Sequence, residues 1–305
     1  MSRTVLGTLY GLAAVAFWAG YITFASVGVG DGLTPTDFVV LRFITAALVM
    51  APWLLLHDPR TLGGVGWSRG VLLACTVGPL FIWTGVGGYV FAPLSHGAVV
   101  QPATATLTAL ALATLWLGEP LGKARVIGTT AVLVGIALVV FVGGGTVAAG
   151  PSAWIGDLLF MSAGALFAAF TLLVRRWELS ALAATAAVST VSALVMLPAL
   201  PFLGTWDRLA ALGPSTAATQ VLVQGVGSGV LSVAAFARAV AYLGAGRAAL
   251  FPAALPAAAL LMGIPVAGEW PGALEWGGAV LATLGLALAV ADPLQREQRV
   301  AAERS

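Results

Sequence analysis

Ten stretches of roughly twenty apolar residues follow one another along this chain, separated only by short polar breaks. A helix needs about 20 apolar residues to cross the hydrocarbon core of a bilayer, so each stretch is long enough to span it. The expected spans are 5–27, 36–56, 68–91, 97–117, 123–142, 153–174, 179–202, 216–241, 246–267 and 272–291. The breaks between them carry turn chemistry: His57-Asp58-Pro59-Arg60, Gly118-Glu119-Pro120, Gly143-Gly144-Gly145, Gly204-Thr205-Trp206-Asp207 and Gly268-Glu269-Trp270-Pro271.

Composition excludes a soluble alternative. A chain of 305 residues would ordinarily make about two soluble domains. Here 60% of residues are hydrophobic and 9% are charged, against about 45–50% and about 25% in ordinary chains. So few charges cannot cover a water-facing surface, which sets aside a soluble enzyme, a nucleic-acid binder and a disordered chain. Cys75 is the single cysteine, so no intramolecular disulfide and no thiolate metal cluster is available. The first apolar stretch is longer than the ~7–15 residues of a signal-peptide core and reads as a membrane span.

Basic residues set the orientation, since they favour cytoplasmic loops. With ten spans, the side holding both termini carries Arg60, Lys123, Arg175 and most of the other basic residues. The opposite side has only Arg208, and Arg42 falls inside a span. Both termini are therefore expected in the cytoplasm, with the chain in the inner (cytoplasmic) membrane.

The sequence also matches itself at a shift of 150: Pro102 meets Pro252, Gly118-Glu119 meets Gly268-Glu269, Gly128 meets Gly278, and Gly135 meets Gly285. Two units follow, 1–149 and 150–305, each of five spans. An odd number of spans makes the second unit enter the membrane from the opposite side, an inverted repeat of the sort that gives transporters two conformations. The expected fold is an all-α integral membrane protein, ten helices in two inverted five-helix repeats.

Five-helix repeats with a Gly-Glu turn before the last span, together with Arg42, Gly156-Asp157 and Arg175-Arg176, resemble the drug/metabolite transporter superfamily, specifically the EamA-type ten-helix exporters. The resemblance covers essentially the whole chain. It implies that spans 1–4 and 6–9 surround a central cavity and that spans 5 and 10 lie at the periphery. It also implies export of amino acids or other small metabolites.

Charge inside a span is a functional signal by default. Arg42 reads either as a cavity anchor for a carboxylate or as a structural arginine that snorkels outward or pairs with Asp37, Asp157 or carbonyls. Asp157 is a candidate for proton coupling, and equally a carboxylate favoured at a helix N-terminus. Trp18, Tyr21, Trp83 and Tyr89 lie within spans 1 and 3, where they would stack on a solute or pack against neighbouring helices. Gln101 and Thr104 are one turn apart. Gln220, Gln224, Ser228 and Ser232 recur every four residues, a stripe that faces the cavity or a neighbouring helix. Pro102, Pro252 and Pro256 are expected inside spans 4 and 9 as hinges or static kinks. His96 is expected as a solvated residue of the short loop between spans 3 and 4.

These readings lead to an exporter of small metabolites such as amino acids, working by alternating access on a small-molecule solute within the lipid bilayer. An exporter of hydrophobic cations and a passive channel-like facilitator are the alternatives. No hydrolase or metalloenzyme motif is present, and no cofactor, metal or nucleic-acid partner is expected. The oligomeric state is not legible: glycines at 128, 135, 278 and 285 suit contacts within one chain as well as between chains.

Overall fold

A computed structural model describes residues 2–117, 122–142, 150–248 and 250–303. The breaks at Gly118-Glu119-Pro120 and Gly143-Gly144-Gly145, with Arg304, lie outside those residues. Among the described residues every regular element is helical. The α-helices in chain order are α1 (Arg3–Gly30), α2 (Pro35–Leu56), α3 (Trp67–Val77), α4 (Pro79–Gly87), α5 (Leu94–Leu117), α6 (Lys123–Val142) and α7 (Ala153–Arg176). They continue with α8 (Ala181–Met196), α9 (Thr205–Ala211), α10 (Pro214–Gln220), α11 (Ser232–Ala248), α12 (Leu255–Ala267) and α13 (Ala273–Glu303). A π-helix, Val221–Leu231, runs without a gap from α10 into α11. Among the described residues, six helical runs are long and apolar enough to cross a membrane, and three apolar helices are shorter.

Local chemistry explains the starts. Thr34 and Asp37 form a reciprocal capping box at the head of α2, with Pro35 at its first position. Ser2 and Ser180 cap α1 and α8 by accepting the amides of Val5 and Ala183. Exposed indoles at Trp67, Trp154, Trp206 and Trp270 sit at helix starts or in turns, the places expected of an aromatic belt.

Several spans are less regular than their composition suggests. The third is divided at Gly78-Pro79 into α3 and α4. Pro79 has no amide to donate, and a Cβ on Gly78 would collide with the carbonyl oxygen of Ala74. The seventh is shorter than expected, ending at Met196 before a short turn and α9. The eighth is α10, the π-helix and α11 in series, and Gly244 breaks α11 with a φ of +80°. In the ninth, Pro252 opens a single 3₁₀ turn and Pro256 begins α12. These two prolines are thus at helix starts, not in a helix interior where they would kink it. They occupy first-turn positions, where a proline removes no hydrogen bond. Pro102 does lie inside α5.

Glycines decide the closest crossings. α6 and α13 lie antiparallel, because Gly128 meets Gly285 while Gly135 meets Gly278. A Cβ on Gly128 would stand 2.6 Å from the Gly285 carbonyl oxygen, and one on Gly135 would stand 2.6 Å from that of Gly278. These four glycines are therefore spent on contact within one chain. The remaining helices pack in matching sets: α7 against α4 and α5, and α1 against α11 and α12. At the α5–α7 crossing a Cβ on Gly164 would stand 2.6 Å from the Gln101 carbonyl oxygen.

Candidate functional site

Arg42 lies two turns into α2, and the π-helix is pressed against it. Gly225 and Gly229, four residues apart, let the π-helix approach α2: a Cβ on Gly225 would stand 2.9 Å from the Leu41 carbonyl oxygen, and one on Gly229 would stand 3.1 Å from Ala46 Cβ. π-helical segments are rare and recur at functional sites. This one brings Ser228 to Arg42, whose Nη1 donates to the serine hydroxyl. The guanidinium also lies over the Tyr21 ring, 5.1 Å from its centroid, and 6.0 Å from that of Phe43.

No carboxylate among the described residues pairs with Arg42. Asp37 and Asp157, its two acidic candidates, have other partners. Asp37 accepts from Arg208 Nε at 2.7 Å and Nη2 at 2.8 Å, and from the Thr205 hydroxyl at 2.6 Å. This fork ties the head of α2 to α9, and the Asp37 carboxylate holds the Arg208 guanidinium above its already high usual value. Asp157 accepts from His96 Nδ1 at 2.8 Å.

The polar stripe is buried and turned toward α1 and α2. Gln220 Nε2 donates to the Phe24 carbonyl at 2.9 Å, and Gln224 Nε2 to the Tyr21 carbonyl at 3.4 Å. Ser232 spends its hydroxyl on the Ser228 carbonyl at 2.7 Å, one turn back in its own helix. Other candidates lie apart. Trp18 tilts against Phe236 of α11, with centroids 5.4 Å apart. Trp83 is 40% exposed, and its indole donates to Thr36 at 3.2 Å. Thr104 packs where α5 crosses Gly164 of α7.

Tyr89 and Gln101 form a second group. Tyr89 stacks at a tilt on Phe160, with centroids 4.9 Å apart, and its hydroxyl faces Gly97. Gln101 follows Gly97 by one turn on the same face of α5, and its amide lies against Gly85. Four buried polar atoms here have no hydrogen-bond partner: the hydroxyls of Tyr21 and Tyr89 and the Oε1 atoms of Gln101 and Gln224. Unsatisfied polar atoms are costly inside a protein, so these four call for an explanation.

A third cluster was not legible as such. His96 is 2% exposed in the first turn of α5, not solvated in a loop as expected. Beside it, Ser95 donates to Glu275 of α13 at 2.6 Å, and Glu275 also accepts the Gly272 amide at 2.7 Å. Glu269, in the turn between α12 and α13, faces the Leu94 amide. The Asp157–His96 pair joins elements 61 residues apart, a separation no local pattern reveals.

Burial pushes the Glu269 carboxyl above its usual value and Glu275 adds to this, while the Leu94 amide opposes it. Because folding raises this group, its contribution to stability is complete below about pH 4.5, the ordinary value, and is lost as the pH climbs through the raised one. Glu269→Gln is expected to flatten that part of the curve of thermal midpoint against pH. An unchanged curve would remove Glu269 from the pH response.

The EamA-like transporter family model matches the chain twice, over residues 5–141 and 154–291. Seventeen chains of solved structure match it. One of them, titled only "Crystal structure of protein", is 19% identical with a TM-score of 0.57, covering 94% of this chain and 98% of its own. No curated protein matches.

Proposed function

The chain belongs to the EamA-like transporter family, and we propose that it moves a small carboxylate-bearing metabolite, such as an amino acid, outward across the inner membrane. Membership makes it a multi-pass membrane transporter with two family repeats in one chain. The observation that carries the choice of solute is Arg42, a guanidinium set among unpartnered polar atoms with no described carboxylate to neutralise it. Holding an arginine inside a membrane protein is costly unless something balances it, and a carboxylate on the solute does so with matching two-pronged geometry. In this reading the Tyr21 ring and the Oε1 of Gln224 meet the remainder of that solute, which the stacking of Tyr21 under Arg42 and the unpartnered Oε1 support. Trp18, Tyr89, Gln101, Thr104, Ser228 and Ser232 complete the proposed site, with Trp83 at its margin.

Alternating access between two inverted halves, 1–149 and 150–305, is the proposed mechanism. The antiparallel crossing of α6 and α13 supports it. Gly128 and Gly278 are equivalent at the shift of 150, as are Gly135 and Gly285, and the contacts pair Gly128 with Gly285 and Gly135 with Gly278. That exchange of partners is what a two-fold axis in the membrane plane produces. Ten crossings with both termini in the cytoplasm complete this reading. Pro102, inside α5, is the hinge it favours, while Pro252 and Pro256 would serve only as stiff entries to α12.

Purified protein in liposomes tests the proposal against a panel of neutral amino acids, dicarboxylates and lipophilic cations. Saturable uptake with counterflow of the carboxylated compounds is expected. Transport of the cations alone would reassign the site to hydrophobic cations, and flux without saturation would point to a passive facilitator.

A further inference from the structure

We propose that a cavity between α1, α10 and α12 receives the uncharged end of the solute whose carboxylate Arg42 holds. The cargo is then an amino acid with an uncharged side chain, or a monocarboxylate of similar size. This deepens the carboxylate reading and rests on it.

The cavity has a volume of about 210 Å³. Pockets for drug-sized ligands run to about 300–1,000 Å³, so this one suits a side chain and not a bulky lipophilic molecule. Phe24 and Val27 of α1 and Val266 of α12 give it apolar surface, while Ser215, Thr216 and Thr219 of α10 give it hydroxyls. Gln220 completes the lining. None of these residues is ionisable, so a second charge on the solute would meet no counter-charge among them.

Its nearness to Arg42 can be followed along two helices. Phe24 lines the cavity, and Tyr21, whose ring lies under the guanidinium, is one turn away on α1, about 4.5 Å of helix rise. The facing helix repeats that order. Gln220 lines the cavity, Gln224 is four residues on, and Ser228, four further, accepts from Arg42. Gln220 Nε2 donates to the Phe24 carbonyl and Gln224 Nε2 to the Tyr21 carbonyl, so the two helices stay in step from cavity to arginine. Gly28 leaves room for this, since a Cβ there would stand 2.6 Å from Gln220 Nε2.

Two side-chain amides therefore stand between the cavity and the guanidinium. Gln224 donates to Gln220 Oε1 at 3.4 Å, a long bond, and its own Oε1 is buried without a partner. That oxygen can accept from the ammonium of an amino acid whose carboxylate lies on Arg42. The side chain of the solute then extends past Gln220 into the cavity. Apolar groups there lose water against Phe24, Val27 and Val266, and a hydroxyl finds partners on α10. A second carboxylate in the same place gives up its water and gains no opposite charge.

The two halves of the molecule differ here. At the shift of 150, Gln220, Gln224 and Ser228 correspond to Gly70, Ala74 and Gly78. The other half therefore lacks the amides and the hydroxyl that join the cavity to the arginine. One such compartment per chain fixes a single orientation of the solute.

The test is initial uptake of alanine, leucine, glutamate and tetraphenylphosphonium into liposomes by wild type, Thr219→Trp and Ala218→Trp. The first variant puts an indole into the cavity, and the second puts one on the exposed face of the same turn. Wild type is expected to carry alanine and leucine, with kcat/KM for glutamate at least about tenfold lower, because an unpaired charge is costly to bury. Thr219→Trp is expected to raise KM for leucine about tenfold or more, as overfilling a packed site does, and KM for the shorter alanine by about twofold or less. Ala218→Trp should change neither. If Thr219→Trp does not fold, Val266→Phe fills the same cavity from α12 and should split the two amino acids in the same way. Equal effects on alanine and leucine, or none on either, overturn the proposal and leave Arg42 as the carboxylate anchor. So does wild-type uptake of glutamate as efficient as that of leucine. Uptake of tetraphenylphosphonium alone overturns the carboxylate reading itself, and the proposal with it.

Discussion

Arg42→Ala is expected to reduce transport of the carboxylated solute by about thirtyfold or more without destabilising the protein. The two halves of that expectation have one origin. Arg42 receives a single hydroxyl contact from Ser228 and the faces of Tyr21 and Phe43, with no described carboxylate to offset its charge. Removing it therefore relieves a desolvation cost in the empty protein while depriving the solute of its counter-charge. Losing one member of a buried charge pair costs about 2–5 kcal/mol, and 2 kcal/mol is already about thirtyfold in affinity. Arg42→Lys should recover little, because an ammonium lacks the planar fork that grips a carboxylate through two bonds. The measurements are initial uptake rates into liposomes and thermal midpoints in detergent. A variant that transports normally would return Arg42 to a structural role, and one that transports poorly because it unfolds would fail the second half of the expectation.

Two neighbouring glycines should respond in opposite directions. A Cβ on Gly278 would stand 2.7 Å from the Gly135 carbonyl oxygen and 2.7 Å from Val139 Cγ2, so Gly278→Ala forces α13 away from α6. The obstructing carbonyl belongs to a helix backbone and cannot rotate aside, and the expected loss is about 1–3 kcal/mol. A Cβ on Gly277 would meet nothing within 4 Å. There Gly277→Ala only trades a flexible residue for a good helix former, a gain of about 0.5–1 kcal/mol. Thermal midpoints of the two single variants, measured in the same detergent, give the comparison. Equal effects would show that the α6–α13 crossing is looser than these distances imply.

Much of the fold could be read from residue order because lipid leaves few options. Apolar runs of spanning length, a repeat at a shift of 150 and glycines at matching positions are properties of the chain alone, and they led to the family that the chain proves to belong to. Departures from ideal helices were harder to see. Gly78-Pro79 interrupts the third span, which the apolar run alone presents as one continuous stretch. The π-helix has no sequence signature of this simple kind: its spacing of four reads equally as α-helical, and only contact with α2 shows why Gly225 and Gly229 are needed.

Site residues divide in the same way. Arg42 stood out because charge is scarce, and scarcity is a matter of counting. Its lack of a carboxylate partner was not countable, since Asp37 and Asp157 were both near enough in principle to neutralise it. The fold gives Asp37 to Arg208, 171 residues away, and Asp157 to His96. His96 shows the opposite case, a residue that looked like solvated loop and became a buried partner once α7 packed beside α5.

The sequence by itself thus determined that this chain lives in lipid, that it is built twice over, and that one arginine must be accounted for. Those conclusions depend on hydrophobicity, length and repetition, which are additive along a chain. Only the tertiary structure decided which acid neutralises which base, which polar atoms are left without partners, and where helices may touch backbone to backbone. Each of these depends on distances between residues far apart in sequence, and such distances exist only after the helices have packed.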